Sequence, residues 1–119
     1  MNSKRKGNAG ELEALRLLEK LGVPCHRNEQ GIYAGFIGGK GNPDISATLG
    51  GLNYHVEVKR TERFSLYAAM DQAQRDATPD TIPAVFYRAN RRPWVVIMTL
   101  DDFLHAVQYH RSGSECLPL

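Results

Sequence analysis

Apolar residues recur at three- and four-residue spacing early in the chain: Leu12, Leu15 and Leu18, with Leu17 and Leu21 beside them. That period predicts a helix over residues 8–21, stopped by Gly22, with 1–7 left as a polar, basic arm. The period then falls to two. Residues 23–27, 44–49 and 53–60 read as strands, the last two joined by a tight turn at Gly50-Gly51. Ser65 stands as N-cap of a second helix running to about Ala77. Val- and Ile-rich stretches at 82–89 and 94–99 read as two more strands around Asn90-Arg91-Arg92-Pro93. Thr99 caps a last helix to about His110, with Asp102 placed to complete a capping box. Phe103, Leu104 and Val107 supply its expected buried stripe, and the tail from Arg111 to Leu119 is expected to be loose. The order α-β-β-β-α-β-β-α predicts an α/β fold, a mixed central sheet flanked by helices.

The chain has 119 residues, 42% hydrophobic and 24% charged, which suits one globular domain over 1–119 rather than a disordered chain. So short a chain buries a modest share of its surface, and a second subunit would help it. A net charge of +2 does not by itself argue for nucleic acid. The distribution says more, with Lys4, Arg5 and Lys6 clustered at the start. Cys25 and Cys116 match no metal spacing, and His26, His55, His105 and His110 show no zinc spacing. The polar, basic N-terminus is not a signal peptide, and no apolar run approaches the ~20 residues of a membrane span. The expectation is a reduced, cytoplasmic protein with no membrane partner.

The chemistry concentrates in one hairpin. Pairing outward from Gly50-Gly51 sets Leu49 against Leu52 and Asp44 against Glu57. One face then carries Asp44, Ser46, Thr48, His55, Glu57 and Lys59, and the other is apolar. Two opposed carboxylates repel and raise a pKa unless a cation neutralises them. Mg²⁺ suits such a pair, since it takes oxygen ligands, and the main-chain carbonyl of Val58 can add one. Lys59 returns to the same face, where it can orient an attacking water or offset charge in a phosphoryl transition state. His55 shares that face, either touching water or phosphate or serving as a plain strand histidine.

Pro43-Asp44 and Glu57-Val58-Lys59, thirteen residues from acid to acid, resemble the PD-(D/E)xK nuclease motif. Lys6-Gly7-Asn8-Ala9-Gly10-Glu11 is similar to the Lys-Gly-x-x-x-Glu opening of archaeal-type and phage Holliday junction resolvases, with Leu12 where they usually carry Arg. Met70-Asp71-Gln72-Ala73 resembles their Glu-Gln-Ala. The resemblance implies a restriction-endonuclease-like fold and Glu11 as a further metal ligand beside Asp44, Glu57 and Val58. It implies Gln72 at the catalytic site with Asp44, Glu57 and Lys59. The implied activity is Mg²⁺-dependent (Mn²⁺ substituting) endonucleolytic resolution of four-way DNA junctions by a homodimer, in DNA recombination and repair. Two alternatives stand beside it: a phage nicking or general branched-DNA endonuclease, and a DNA-binding recombination accessory with a silent site.

Lys4, Arg5, Lys6, Arg60 and Arg63 are candidate phosphate contacts. Arg88, Arg91 and Arg92 flank a turn and read as a solubilising loop. Residues 28–43, broken by five glycines, read as a loop beside the site, with Lys40 a candidate DNA contact and Tyr33 and Phe36 able to stack on bases. The loop is no P-loop: Gly35 leaves three residues before Gly39, and Gly41 replaces Ser or Thr. Trp94, Val95, Val96 and Ile97 read as core, or as the lining of a dimer contact.

Overall fold

The computed structural model of the protein describes residues 3–28 and 43–114, with side chains over 8–28 and 43–111. The chain runs α1 (Ser3–Lys20), β1 (Cys25–Arg27), β2 (Ile45–Leu49), β3 (Leu52–Arg60), α2 (Leu66–Asp76), β4 (Ile82–Arg88), β5 (Val95–Ile97) and α3 (Leu100–Ser114). This is the expected order. Among the described residues the strands form one five-stranded sheet, in spatial order β1-β2-β3-β4-β5. Only the β3–β4 pair is parallel, because α2 carries the chain back to the start of the sheet between them.

The hairpin register is the one read from the sequence. Leu49 faces Leu52, Thr48 faces Asn53, and the ladder runs out to Ile45 against Val56. Gly50 and Gly51 both have positive φ (57° and 87°), as a two-residue type I′ turn demands. Tyr109 and His110 of α3 lie against that turn, where a Cβ on either glycine would meet them.

Alternation along the strands gives the sheet two different faces. One face carries Ile45, Ala47, Val56 and Val58, and α1 covers it through Ala14 and Leu18. The other packs α2 on β4, with Ala69, Met70 and Ala73 against Val85 and with Phe64, Tyr87 and Ile97 around them. His55, Glu57 and Lys59 of β3 belong to this second face, at its junction with β2.

Several expected boundaries and buried stripes differ. Helix α1 begins at Ser3, so Lys4, Arg5 and Lys6 lie in its first turns rather than in a free arm. Within 3–7 only Gly7 weakens a helix, at a cost near 1 kcal/mol. On α1 the buried line is Glu11, Ala14 and Leu18, while Leu17 and Leu21 face outward. Gly10 and Ala14 let that line lie close to the sheet. A Cβ at Gly10 would fall 2.6 Å from the Cβ of Arg60, so only glycine lets α1 approach the end of β3 this closely.

Thr99 caps α3 as expected, its Oγ1 accepting from the Asp102 N–H at 3.1 Å. Ser65 occupies the N-cap position of α2 but makes no side-chain cap bond. Helix α3 runs four residues past His110, so 111–114 are helix rather than loose tail. The expected buried stripe of α3 is not buried. Phe103 is 50% exposed, Leu104 and Val107 nearly as much, and Ala106 alone sinks into the fold. Val95 and Val96 of the edge strand β5 are also exposed rather than core, Val96 at 60%. The periodicity was real, but nothing within the described residues covers that stripe.

Candidate active site

The site forms where β2 and β3 part at the open end of the hairpin. Asp44 lies one residue before β2, and its peptide carbonyl accepts from the Asn28 N–H at 3.1 Å, which ties it to β1. Its side chain is buried and turns inward. Oδ2 accepts from the backbone N–H of Val58 at 2.8 Å, in place of the ladder bond that β2 no longer supplies. A strand residue points its N–H and C=O to the same neighbour, so the Val58 carbonyl opens toward Asp44 as well.

Glu57 is only 3% exposed, and its Oε1 meets Nε2 of the equally buried His55 at 2.8 Å. The two residues alternate onto one face, and the imidazole fixes the carboxylate's orientation. Burial, and then the negative field of Glu57, push the Asp44 pKa up to about 6, against the opposing pull of the Val58 amide and Lys59. Two carboxyl groups have thus been desolvated side by side, which is unfavourable without a cation. Lys59, next along this face, donates from Nζ to Oε1 of Gln72 at 3.2 Å, so α2 holds the lysine beside the acids.

Glu11 reaches the same region from α1. Burial raises its pKa, and the field of Asp44 adds to that, which places it within electrostatic reach of the pair. It is already engaged, because Nε of Arg27 donates to its Oε1 at 2.9 Å while NH2 of Arg27 holds Asn8 at 2.8 Å. Among the described residues no three His, Cys, Asp or Glu side chains close on a single point. The donor set that does converge is all oxygen: Asp44, Glu57 and the Val58 carbonyl. It fits a hard divalent cation that keeps several waters and takes further oxygens from a phosphate.

A groove of about 680 Å³ runs beside the site along β1, β2 and β3, lined by His26, Pro43, Ser46, His55, Asp76 and Thr78 among others. Among the described residues it borders the acids through Pro43 and His55. Among the described residues its lining holds no lysine or arginine.

The remaining sequence candidates divide. Arg63 sits in the turn between β3 and α2, close to Lys59. Arg60 leaves the face that carries the acids altogether. Alternation turns it under α1 beside Gly10, with NH1 buried and without a hydrogen-bond partner among the described residues. Lys4, Arg5 and Lys6 begin α1, but their side chains lie outside the described ones. Lys40, Tyr33 and Phe36 lie outside the described residues. Arg88 is committed to structure: it donates to Glu13 at 2.8 Å, and Trp94 Nε1 donates to the same carboxylate at 2.9 Å. The sequence reading missed Arg27, whose role depends on β1 lying antiparallel to β2, with Arg27 opposite Ile45. It also assigned His55 no partner, although the shared face with Glu57 was the available signal.

No family model matches the chain, and no characterised protein matches it in sequence. Among solved structures it is similar to Hjc, a Holliday junction resolvase from the archaeal hyperthermophile Archaeoglobus fulgidus. The TM-score is 0.61 at 23% identity, over 77% of this chain and 76% of that one. The likeness shows a shared fold, a mixed sheet flanked by helices like that of the resolvase.

Proposed function

We propose that this protein is a divalent-metal-dependent DNA endonuclease, with Mg²⁺ as the natural ion and Mn²⁺ as a substitute, acting on branched DNA and above all on four-way junctions. The observation that carries the reading is the buried Asp44–Glu57 pair, with the Val58 carbonyl opening toward it and the Lys59–Gln72 contact beside it. A fold shared with a Holliday junction resolvase supports the choice of substrate. A DNA substrate implies a cytoplasmic site of action.

The reaction is hydrolysis. A water oxygen bonds to phosphorus, the P–O3′ bond breaks, and the leaving oxygen takes a proton, giving a 3′-hydroxyl and a 5′-phosphate. Asp44, Glu57 and the Val58 carbonyl would hold the cation, with Glu11 bordering its hydration shell. When bound, the ion supplies Lewis acidity and charge neutralisation at the phosphate. Lys59 orients the attacking water and offsets charge building on the phosphoryl oxygens. Gln72 keeps the ammonium in place, and His55 keeps Glu57 in the orientation that serves the site.

Homodimerisation accompanies this reading. Leu100, Phe103, Leu104 and Val107 form a continuous exposed stripe on α3 beside exposed Val96 of β5. Val95 and Tyr109 are exposed as well, which widens the apolar patch. A two-fold dimer presents two sites to the paired strands of a junction.

Asp44→Asn tests the reading. It should lower cleavage by at least about 10³-fold while leaving DNA binding intact or tighter, since one negative charge near phosphate is removed. Loss of binding along with cleavage would count against a catalytic role. Competition sorts the substrates: unlabelled junction should compete far better than duplex, and equal competition would favour the phage-type nicking or general branched-DNA enzyme. A protein that binds DNA but cuts none in Mg²⁺ or Mn²⁺ would be the silent recombination accessory.

A further inference from the structure

On the catalytic face of β3, His55, Glu57 and Lys59 follow one another. The groove along β1, β2 and β3 borders His55. At the Lys59 end lies a second, smaller cavity of about 230 Å³, lined by Lys59, Thr61, Arg63, Phe64, Ser65 and Gln72. Among the described residues no carboxylate lines it. Its walls offer a guanidinium, an ammonium and two hydroxyls, a set that attracts an anion and holds it by hydrogen bonds.

The turn that shapes the cavity is braced from outside. The Asn90 N–H donates to Glu62 Oε2 at 2.6 Å. The Phe64 ring stacks on Tyr87 with centroids 3.9 Å apart and planes within 9°. Phe64 therefore anchors the turn on β4 and Glu62 on the turn that follows β4, and Thr61, Arg63 and Ser65 alternate between those anchors. Arg63 forms no hydrogen bond or ion pair with the described residues, and the Ser65 hydroxyl is not spent on capping α2. The turn held by these two contacts leaves the Arg63 guanidinium and the Ser65 hydroxyl exposed at the cavity.

We propose that this cavity is a phosphodiester subsite, holding the phosphate next to the scissile one through Arg63, Thr61 and Ser65. The proposal rests on the nuclease reading for the identity of its ligand. Lys59 belongs both to the cavity and to the catalytic site, and it lies two strand residues, about 6.6 Å, beyond Glu57. That spacing suits successive phosphates of one strand. Arg63 is then a positioning residue: it registers the strand so that the neighbouring phosphate falls over Asp44 and Glu57.

The test compares wild type, Arg63→Gln and Arg63→Lys. Titrating the ¹⁵N-labelled proteins with inorganic phosphate should shift the amides of residues 61–66 in wild type and leave them unmoved in Arg63→Gln. Junction binding is then measured in EDTA, with single neutral methylphosphonates placed on either side of the scissile position. One of the two should weaken wild-type binding about tenfold and add nothing to the loss in Arg63→Gln, with Arg63→Lys intermediate. The salt slope of binding should drop by about one in Arg63→Gln. An unshifted turn, or a methylphosphonate penalty as large in Arg63→Gln as in wild type, overturns the subsite. Phosphate shifts without any methylphosphonate effect mean that free phosphate binds there and the strand does not, which overturns it too. Cleavage by wild type in Mg²⁺ is scored separately, so failure of the nuclease reading is visible on its own.

Discussion

Asp44 ionises near 3.8 in an unfolded chain and near 6 in the fold, because it is buried against Glu57. Between those values the folded protein holds a proton that the unfolded chain has released, so stability falls as pH rises. The contribution is about 3 kcal/mol, fully felt above pH 6. Asp44→Asn removes the charge and keeps an acceptor for the Val58 amide. It should therefore melt several degrees above metal-free wild type at about pH 7.5, and the gap should close near pH 4. Mg²⁺ should raise the melting temperature of wild type at about pH 7.5 but not that of Asp44→Asn, as followed by calorimetry. Binding an ion requires the ionised pair, so the acid limb of the cleavage profile should move to lower pH as Mg²⁺ increases. An acid limb independent of metal concentration would break the link between Asp44 and the ion. His55→Ala leaves Glu57 buried without its partner, and should lower kcat more than junction affinity.

Elements place these residues, and glycine decides how closely the elements approach. Gly10→Ala sets a methyl 2.6 Å from the Arg60 Cβ, between α1 and β3 backbones that cannot both stay in place. The expected cost is about 1–3 kcal/mol in chemical denaturation, with cleavage reduced because α1 carries Glu11. Much of the site was legible in the sequence for a local reason. Gly50-Gly51 admits a type I′ turn, the turn fixes the register, and the register puts Asp44, Glu57 and Lys59 together. What was illegible depends on distant elements. Arg27 finds Glu11 only once α1 lies across β1. Arg60 counts as a DNA candidate until Gly10 draws α1 over it. The leucines of α1 and the Phe103–Val107 stripe show the helical period, yet a period does not say which side will be covered.

At the scale of the whole molecule, the stripe of α3 and β5, which no described residue covers, is where the proposed dimer would join. Sedimentation should find a dimer at micromolar concentration. Val96→Glu and Phe103→Glu should each give a monomer with an unchanged circular dichroism spectrum. A wild type that stays monomeric, or variants that stay dimeric, would move the interface elsewhere. In the proposed two-fold arrangement each protomer would contribute one acid pair and one Arg63 cavity, and a junction would supply two equivalent strands. The most direct measurement of the central claim is cleavage of a defined four-way junction in Mg²⁺, with both nicks mapped and their ends identified. The expected result is paired, symmetric nicks with 5′-phosphate and 3′-hydroxyl ends, lost in EDTA and in Asp44→Asn. Cleavage that persists in EDTA or in Asp44→Asn would contradict it, as would no cleavage by intact dimer that binds the junction.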